Sequence, residues 1–258
     1  MTIAFNKYQG TGNDFIIIDN RKRRIDPGDT FLIQRLCDRR FGIGADGLIL
    51  ISDCKGYDFQ MKYFNADGGE SSMCGNGGRC AAAFAVANRI AGKTQQFLAF
   101  DGVHNAVISG KRVRLSMNDV SGTRLIDGKY FINTGSPHYI VPVKIAEKAE
   151  VIAEGRKIRY SKAFSPGGTN VNFVEFRNDG IFVRTYERGV EDETLSCGTG
   201  VTASAIAAVL AGHFANGDIN VFTRGGNLNV KFDVNGDKIS GVWLTGPATF
   251  VYEGAIEV

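Results

Sequence analysis

The strongest constraint on this chain is that it is written twice. At an offset of 123 residues, Cys74-Gly75-Asn76-Gly77 returns as Cys197-Gly198-Thr199-Gly200. The same offset pairs Thr11-Gly12 with Thr134-Gly135, Ile17 with Ile140, Gly44 with Gly167, Tyr63 with Tyr186 and Glu70 with Glu193. It also pairs Ala82, Ala85 and Val86 with Ala205, Ala208 and Val209. Seventeen identities run without a gap to Val107/Val230, clustered at the glycines and cysteines. Self-similarity at a fixed period marks a repeated structural unit. Two homologous halves are therefore expected, starting near residues 1 and 124 and related by a pseudo-twofold axis.

Each half reads as mostly strand with one strong helix. Short β-branched and aromatic runs between Gly, Asn and Asp predict strands. In the first half these are Phe15–Asp19, Gly47–Ser52, Phe59–Phe64, Val103–Ile108 and Val113–Leu115. The second half offers Tyr139–Val143, Asn172–Arg177, Ile181–Tyr186, Ile219–Thr223 and Leu228–Val234. An alanine-rich helix over Gly78–Ile90 is apolar all round and should be buried. Its counterpart is Val201–Ala211. A further helix pair is expected at Thr30–Asp38 and Ile145–Ala153. The fold class is α+β: two pseudo-twofold-related halves, each a curved, mostly antiparallel sheet around a central helix. The first half is placed at residues 1–118, with a strand near 250–258 returned to it. The second is placed at 119–249.

Composition excludes several classes of protein. The chain has 258 residues, and 43% hydrophobic with 22% charged residues is globular. Five cysteines, Cys37, Cys54, Cys74, Cys80 and Cys197, are too few and too odd in number for a disulfide framework. The opening MTIAFNKYQGTGNDF is no secretory leader. No run approaches 18 apolar residues, so no membrane span is expected. Free thiols in a reducing cytoplasm are the expectation. A net charge of +3 is too mild to argue for nucleic acid. The run Arg21-Lys22-Arg23-Arg24, before Pro27-Gly28, reads as a solvated loop.

Cys-Gly-x-Gly followed by a helix places a thiol at a helix start. Unpaired backbone N–H groups there make an anion site. The helix dipole favours thiolate, and glycines let a ligand approach the backbone. The pseudo-twofold axis would set Cys74 and Cys197 facing each other across a cleft. Two thiols on either side of a ligand suit inversion of a stereocentre: one removes a proton from carbon, the other donates one to the opposite face. The backbone donors would hold a carboxylate and stabilise the charge that builds on it. Competing readings are buried cysteines acting as small hydrophobes and zinc. Cys74-x5-Cys80 lacks the tight spacing and paired histidines of a zinc site. Cys37, Cys54 and Cys80 have Tyr160, Arg177 and Ala203 as mates and read as bystanders.

In the ordered set of its motifs the sequence closely resembles the diaminopimelate epimerases, over essentially the whole chain. The first half carries Gln9-Gly10-Thr11-Gly12-Asn13-Asp14-Phe15, Arg40-Phe41-Gly42-Ile43-Gly44-Ala45-Asp46-Gly47 and Phe64-Asn65-Ala66-Asp67-Gly68-Gly69-Glu70. It then leads into Cys74-Gly75-Asn76-Gly77-Gly78-Arg79-Cys80. The second half carries Gly135-Ser136-Pro137-His138, Gly168-Thr169-Asn170-Val171-Asn172-Phe173, Tyr186-Glu187-Arg188-Gly189 and Glu193-Thr194-Leu195-Ser196-Cys197-Gly198-Thr199-Gly200.

The resemblance implies that Cys74 and Cys197 are the two bases. It implies that Asn13, Asn65, Asn170, Glu187 and Arg188 bind the distal amino-acid end of the substrate. Gly75, Asn76, Gly198 and Thr199 would hold the reacting carboxylate. It implies neither PLP nor metal, and often a homodimer. Chemically, Arg188 suits a carboxylate and Glu187 an ammonium, although the pair also reads as a surface ion pair. Their mates by the offset are Phe64 and Asn65, so the halves diverge where a one-sided substrate requires it. Asn13 fits a turn equally well, and His138 is as easily structural as supportive. Asp67 and Glu70 read as caps or ion-pair partners.

Two departures bear on which amino acid is bound. Gly47 stands where many such sequences carry a polar amide, and Ser136 where many carry Asn. The expected activity is conversion of LL-2,6-diaminopimelate to the meso isomer in lysine and peptidoglycan precursor synthesis, with a cleft closing over the substrate. The alternatives are another PLP-independent racemase of this fold, for example one acting on histidine or a proline derivative, or a non-catalytic redox or metal-binding protein.

Overall fold

The computed structural model describes residues 1–258. The chain divides into two compact units, residues 1–115 with 246–258, and residues 116–245.

The first unit begins with β1 (Thr2–Gly10), β2 (Asn13–Asp19) and α1 (Thr30–Cys37), followed by β3 (Gly47–Ser52) and β4 (Phe59–Asn65). Then come α2 (Gly75–Ala87), β5 (Thr94–Ala99), β6 (Gly102–Ser109) and β7 (Arg112–Ser116). Thr11 and Gly12 both have positive φ, 53° and 85°, and turn β1 tightly into β2. Pairing is antiparallel for β1–β2, β3–β4, β5–β6 and β6–β7, and parallel for β2–β3 and β4–β5. One face of β2–β3–β4 packs Ile16, Ile18, Leu48, Leu50 and Phe64 with Ile33 and Leu36 of α1. Phe15, Ile49 and Met61 on the other face lie against Gly77 of α2.

The second unit holds β8 (Arg124–Ile126), β9 (Lys129–Asn133), β10 (Pro137–Pro142), α3 (Val151–Arg159), β11 (Asn170–Arg177) and β12 (Gly180–Glu187). It continues with β13 (Asp192–Thr194), α4 (Gly198–Leu210), β14 (Asp218–Thr223), β15 (Gly226–Asn235) and β16 (Lys238–Pro247), whose last two residues belong to the first unit. The pairing order repeats. β9–β10, β11–β12, β14–β15 and β15–β16 are antiparallel, while β10–β11 and β12–β14 are parallel. Even register is kept, because Phe15↔Gly47 in one unit matches His138↔Asn170 in the other at the offset of 123. Helix α4 lies in an aliphatic core with Ile140, Val174, Val183, Val221 and Leu244. The last strand, β17 (Thr249–Glu257), pairs antiparallel with β1. The molecule is α+β, sheet-dominated, with one buried helix per unit. No helix is long and apolar enough to cross a membrane.

Helices α2 and α4 start at Gly75 and Gly198, three residues before the expected Gly78 and Val201. Glycine has poor helix propensity, so a pattern of apolar residues misses a first turn made of Gly-Asn-Gly or Gly-Thr-Gly. The helix expected at Ile145–Ala153 is instead a short 3-10 turn at Ala146–Lys148 and then α3. Its true extent, Val151–Arg159, overlaps the position of α1 at the offset, residues 153–160. Strands β1, β5 and β16, and the short strands β8, β9 and β13, are not among the expected strands.

Candidate active site

Cys74 and Cys197 occupy the same structural position in their units. Each is the N-cap of a 13-residue helix, with extended backbone at φ −101°, ψ 123° and φ −113°, ψ 116°. In each, the first intrahelical bond closes from residue four onto the cysteine carbonyl, Gly78 N–H to Cys74 O at 2.7 Å and Val201 N–H to Cys197 O at 2.9 Å. The N–H groups of the three residues before it have no acceptor within the helix, which is the geometry of an anion site. Cys74 is half-buried and Cys197 buried, and none of the five cysteines is in a disulfide.

Around Cys74, three of the expected residues converge. Asn13 Nδ2 donates to Asp46 Oδ2 at 2.8 Å, which turns Asn13 Oδ1 toward the helix start. That oxygen accepts from Cys74 Sγ at 3.5 Å and from Asn76 Nδ2 at 3.4 Å. Behind it, Arg39 bridges Asp14 and Asp46, and Lys7 pairs with Asp14 at 2.8 Å. Burial pushes the Asp14 carboxyl up, but the hydrogen bonds and charges of Arg39 and Lys7 outweigh it and hold it well below the usual carboxylate range. Asn65 is exposed at the end of β4, directly opposite Gly47 in register. A side chain on Gly47 would press its Cβ to 2.5 Å from the Tyr63 ring, which takes the space an amide would need.

Around Cys197, Thr199 Oγ1 lies 3.4 Å from Sγ and 2.9 Å from His138 Nε2. His138 Nδ1 meets Asn172 Nδ2 at 3.0 Å, and Asn172 Oδ1 accepts from Thr185 Oγ1 at 2.8 Å. Asn172 Nδ2 can only donate, so His138 Nδ1 accepts and Nε2 carries the proton toward Thr199. Complete burial, with a smaller contribution from the Arg188 charge, pushes His138 down to about 3, so the ring is neutral at pH 7. Thr134 Oγ1 donates to the Thr199 carbonyl at 2.9 Å. Asn170 donates to Ser136 Oγ and Pro137 O, both at 2.8 Å, and its Oδ1 accepts the Arg188 N–H at 2.8 Å. Ser136 therefore holds Asn170 in place. The Arg188 guanidinium is exposed and touches Gly167 O at 3.3 Å, while Glu187 Oε2 accepts from Thr194 Oγ1 at 2.8 Å.

Within the units, the structure thus joins Asn13, Cys74 and Asn76, joins Asn170 to Arg188, and joins Cys197 to Thr199. It adds residues that motif reading did not single out. Asn172 and Thr185 complete the His138 chain, Thr134 holds the Thr199 carbonyl, and Arg79 and Thr11 support Asn76. Asn172 stands in the run Gly168–Phe173, Thr11 and Arg79 in the first-half runs, and Thr134 in the repeat, but none carries an assigned role there. Cys37 and Cys80 are buried thiols, each pushed up to about 12 by desolvation. Glu70 lies 3.6 Å from Lys62, and Asp67 accepts from the Gly69 N–H at 2.9 Å, closing a turn.

The sequence profile of the family described as diaminopimelate epimerase matches residues 5–113 and 130–251. A diaminopimelate epimerase of Flavobacterium psychrophilum is 48% identical over 97% of this chain and 98% of its own length. That of Aquifex aeolicus is 42% identical over 98% of each. Among solved structures, a PhzF-family phenazine biosynthesis protein from Bacillus anthracis superposes over the full length of both chains, with a TM-score of 0.78 and 16% identity. A hydroxyproline epimerase from Agrobacterium vitis, solved with trans-4-hydroxy-L-proline bound, superposes with a TM-score of 0.71 and 12% identity over 99% of this chain and 92% of its own. At those identities the structures speak for the shared fold. The full-length sequence match, and two thiols capping equivalent helices, assign the rest: this chain belongs to the diaminopimelate epimerase family.

Proposed function

We propose that this enzyme interconverts LL-2,6-diaminopimelate and meso-diaminopimelate by proton transfer between two thiols and one Cα. The observation that carries this reading is the equivalence of Cys74 and Cys197, each the N-cap of a glycine-led buried helix. One cysteine, as thiolate, takes the Cα proton. The electron pair of the broken C–H bond is delocalised into the α-carboxylate. The other cysteine, as thiol, gives its proton to the opposite face of the same carbon, which inverts it. The two sulfurs then hold the reverse protonation pattern.

The carboxylate is the place where charge builds, and N–H donors aimed at it lower the barrier most. Gly75, Asn76, Gly198 and Thr199 supply those donors from the two helix starts. Arg188 grips the distal carboxylate with its forked donors, Glu187 takes the distal ammonium, and Asn13, Asn65 and Asn170 fix its orientation. The two halves then differ because the substrate does: one end reacts, and the other is measured. The neutral His138 ring orients the Thr199 hydroxyl beside Cys197. The chemistry needs neither PLP nor metal, since both proton carriers are side chains of the chain. In its setting the enzyme would serve lysine and peptidoglycan precursor synthesis in the cytoplasm, as a homodimer.

The test is incubation of the reduced protein with LL-diaminopimelate in D2O, followed by NMR. Deuterium at one Cα together with the meso product is expected. Absence of both would overturn the reading.

A further inference from the structure

Arg79 is fully buried in the first turns of α2, five residues after Cys74. Its guanidinium reaches back along the helix, as helical side chains do. Nη1 donates to Gly75 O at 3.1 Å, Nη2 to Asn76 Oδ1 at 3.0 Å and to Thr11 Oγ1 at 3.4 Å, and Nε to Pro247 O at 3.3 Å. Gly10 leaves it room, since a Cβ there would sit 3.3 Å from Nη2. Every acceptor is neutral, and no carboxylate forms an ion pair with it. Burial pushes the guanidinium down to about 10, which still leaves it charged at pH 7.

A buried charge is costly unless something of opposite sign faces it. The titratable groups that act on Arg79 are Cys80, Cys74 and Arg112. Arg112 is of like sign. Cys80 is fully buried, which pushes its thiol up to about 12, so it stays a thiol. Cys74 remains as the group able to carry the balancing negative charge. The second unit has no such cation. The mate of Arg79 is Thr202, whose hydroxyl bonds Gly198 O at 2.9 Å just as Nη1 bonds Gly75 O. The mate of Phe15 is the neutral His138, and Cys197 is the more buried thiol.

Resting on the two-thiol reading above, we infer that Arg79 is the standing countercharge of a Cys74 thiolate, so that the resting enzyme holds its thiolate on Cys74 and its proton on Cys197. Arg79 touches no reacting atom in this scheme. It acts as a positioning residue, through its field and through Asn76, whose Nδ2 and the Cys74 sulfur share Asn13 Oδ1.

The experiment follows iodoacetamide alkylation of each cysteine in the reduced, substrate-free enzyme from about pH 5.5 to 9.5, read by peptide mass spectrometry. The midpoint of the pH dependence, unlike the rate, does not depend on accessibility. Cys74 is expected to titrate below Cys197. Arg79→Met should raise the Cys74 midpoint by about one pH unit or more, the usual effect of losing one close opposite charge, and leave Cys197 unchanged. Arg79→Lys, which keeps the charge but loses the fork, should restore most of it. Cys197 titrating first, or a Cys74 midpoint indifferent to Arg79→Met, overturns the inference. Should Arg79→Met fail to fold, the wild-type order and Arg79→Lys still decide. Failure of the two-thiol reading itself shows elsewhere, as retained turnover in Cys74→Ala or Cys197→Ala, because the midpoints need no turnover.

Discussion

The starts of α2 and α4 are copies of one another that have been furnished differently. Beneath Gly77 lie Phe15, Ile49 and Met61, a dry apolar floor. Beneath Gly200 lie His138 and Asn172, the mates of Phe15 and Ile49, linked to Thr185 and Thr199 by hydrogen bonds. One helix carries a buried cation, Arg79, and the other a hydroxyl, Thr202. The backbone device, a thiol cap before bare N–H groups, is therefore kept twice, while the electrostatics around it is not. A duplicated fold supplies two thiols at two helix starts. Divergence is what makes their surroundings unequal.

Substitutions ranked by expected effect test this contrast. Removing either thiol, by Cys74→Ala or Cys197→Ala, should lower epimerisation by about 10^3-fold or more, as for loss of a positioned acid or base. Product formation measured by NMR checks it, and a variant that keeps near-native rates would show that the halves are not both needed. Arg188→Lys probes the divergence at the distal end. Loss of the planar fork should cost about 10^2-fold in kcat/KM, mainly through KM. An unchanged KM would remove Arg188 from substrate binding.

The two floors should answer a methyl group differently. In Gly200→Ala the new Cβ would stand 2.5 Å from Asn172 Oδ1, whereas in Gly77→Ala the nearest atom is Ile49 Cδ1 at 3.2 Å, the end of a flexible side chain. Denaturant unfolding should show about 2–3 kcal/mol lost for the first and about 1 kcal/mol for the second. Equal losses would mean that the polar floor yields as easily as the apolar one.

The smallest effect is a slope. His138 is pushed down to about 3 by burial, from an ordinary value near 6.5. Below pH 6.5 the unfolded chain binds a proton there that the native state refuses. Stability therefore falls as pH drops from about 6.5 toward 3, by at most about 1.4 kcal/mol per pH unit from this group. His138→Gln should remove that part of the slope, although it starts from a lower stability at pH 7. Unfolding free energies of both proteins at about pH 7 and pH 5 give the comparison, and parallel slopes would place His138 in contact with solvent.

Much of the fold is legible in the chain because the repeat is legible. The strand Gly47–Ser52 is found as read, and most others differ by one or two residues at an end. The errors have local causes. Glycine-led first turns hide helix starts at Gly75 and Gly198, and Ala149 and Glu150 separate a 3-10 turn from α3 in what reads as one helix. Among the residues of the site, Asn13 reads equally as a turn or a ligand. Its position as the first residue of β2, with Oδ1 aimed at Cys74, comes from its bond to Asp46, 33 residues away. His138 is ambiguous for the same reason, since its partners Thr199 and Asn172 come from other elements.

By itself the sequence determined the duplication, the α+β class, the two thiols ahead of two helices and the family, because each is written in spacing or in local residue type. Tertiary structure alone decided which charges are buried and with whom. That Arg79 sits in the interior among neutral acceptors, and that His138 is held neutral, depend on desolvation by atoms distant in the chain. Burial and long-range contact have no local signature, and they are what gives two cysteines in equivalent caps different surroundings.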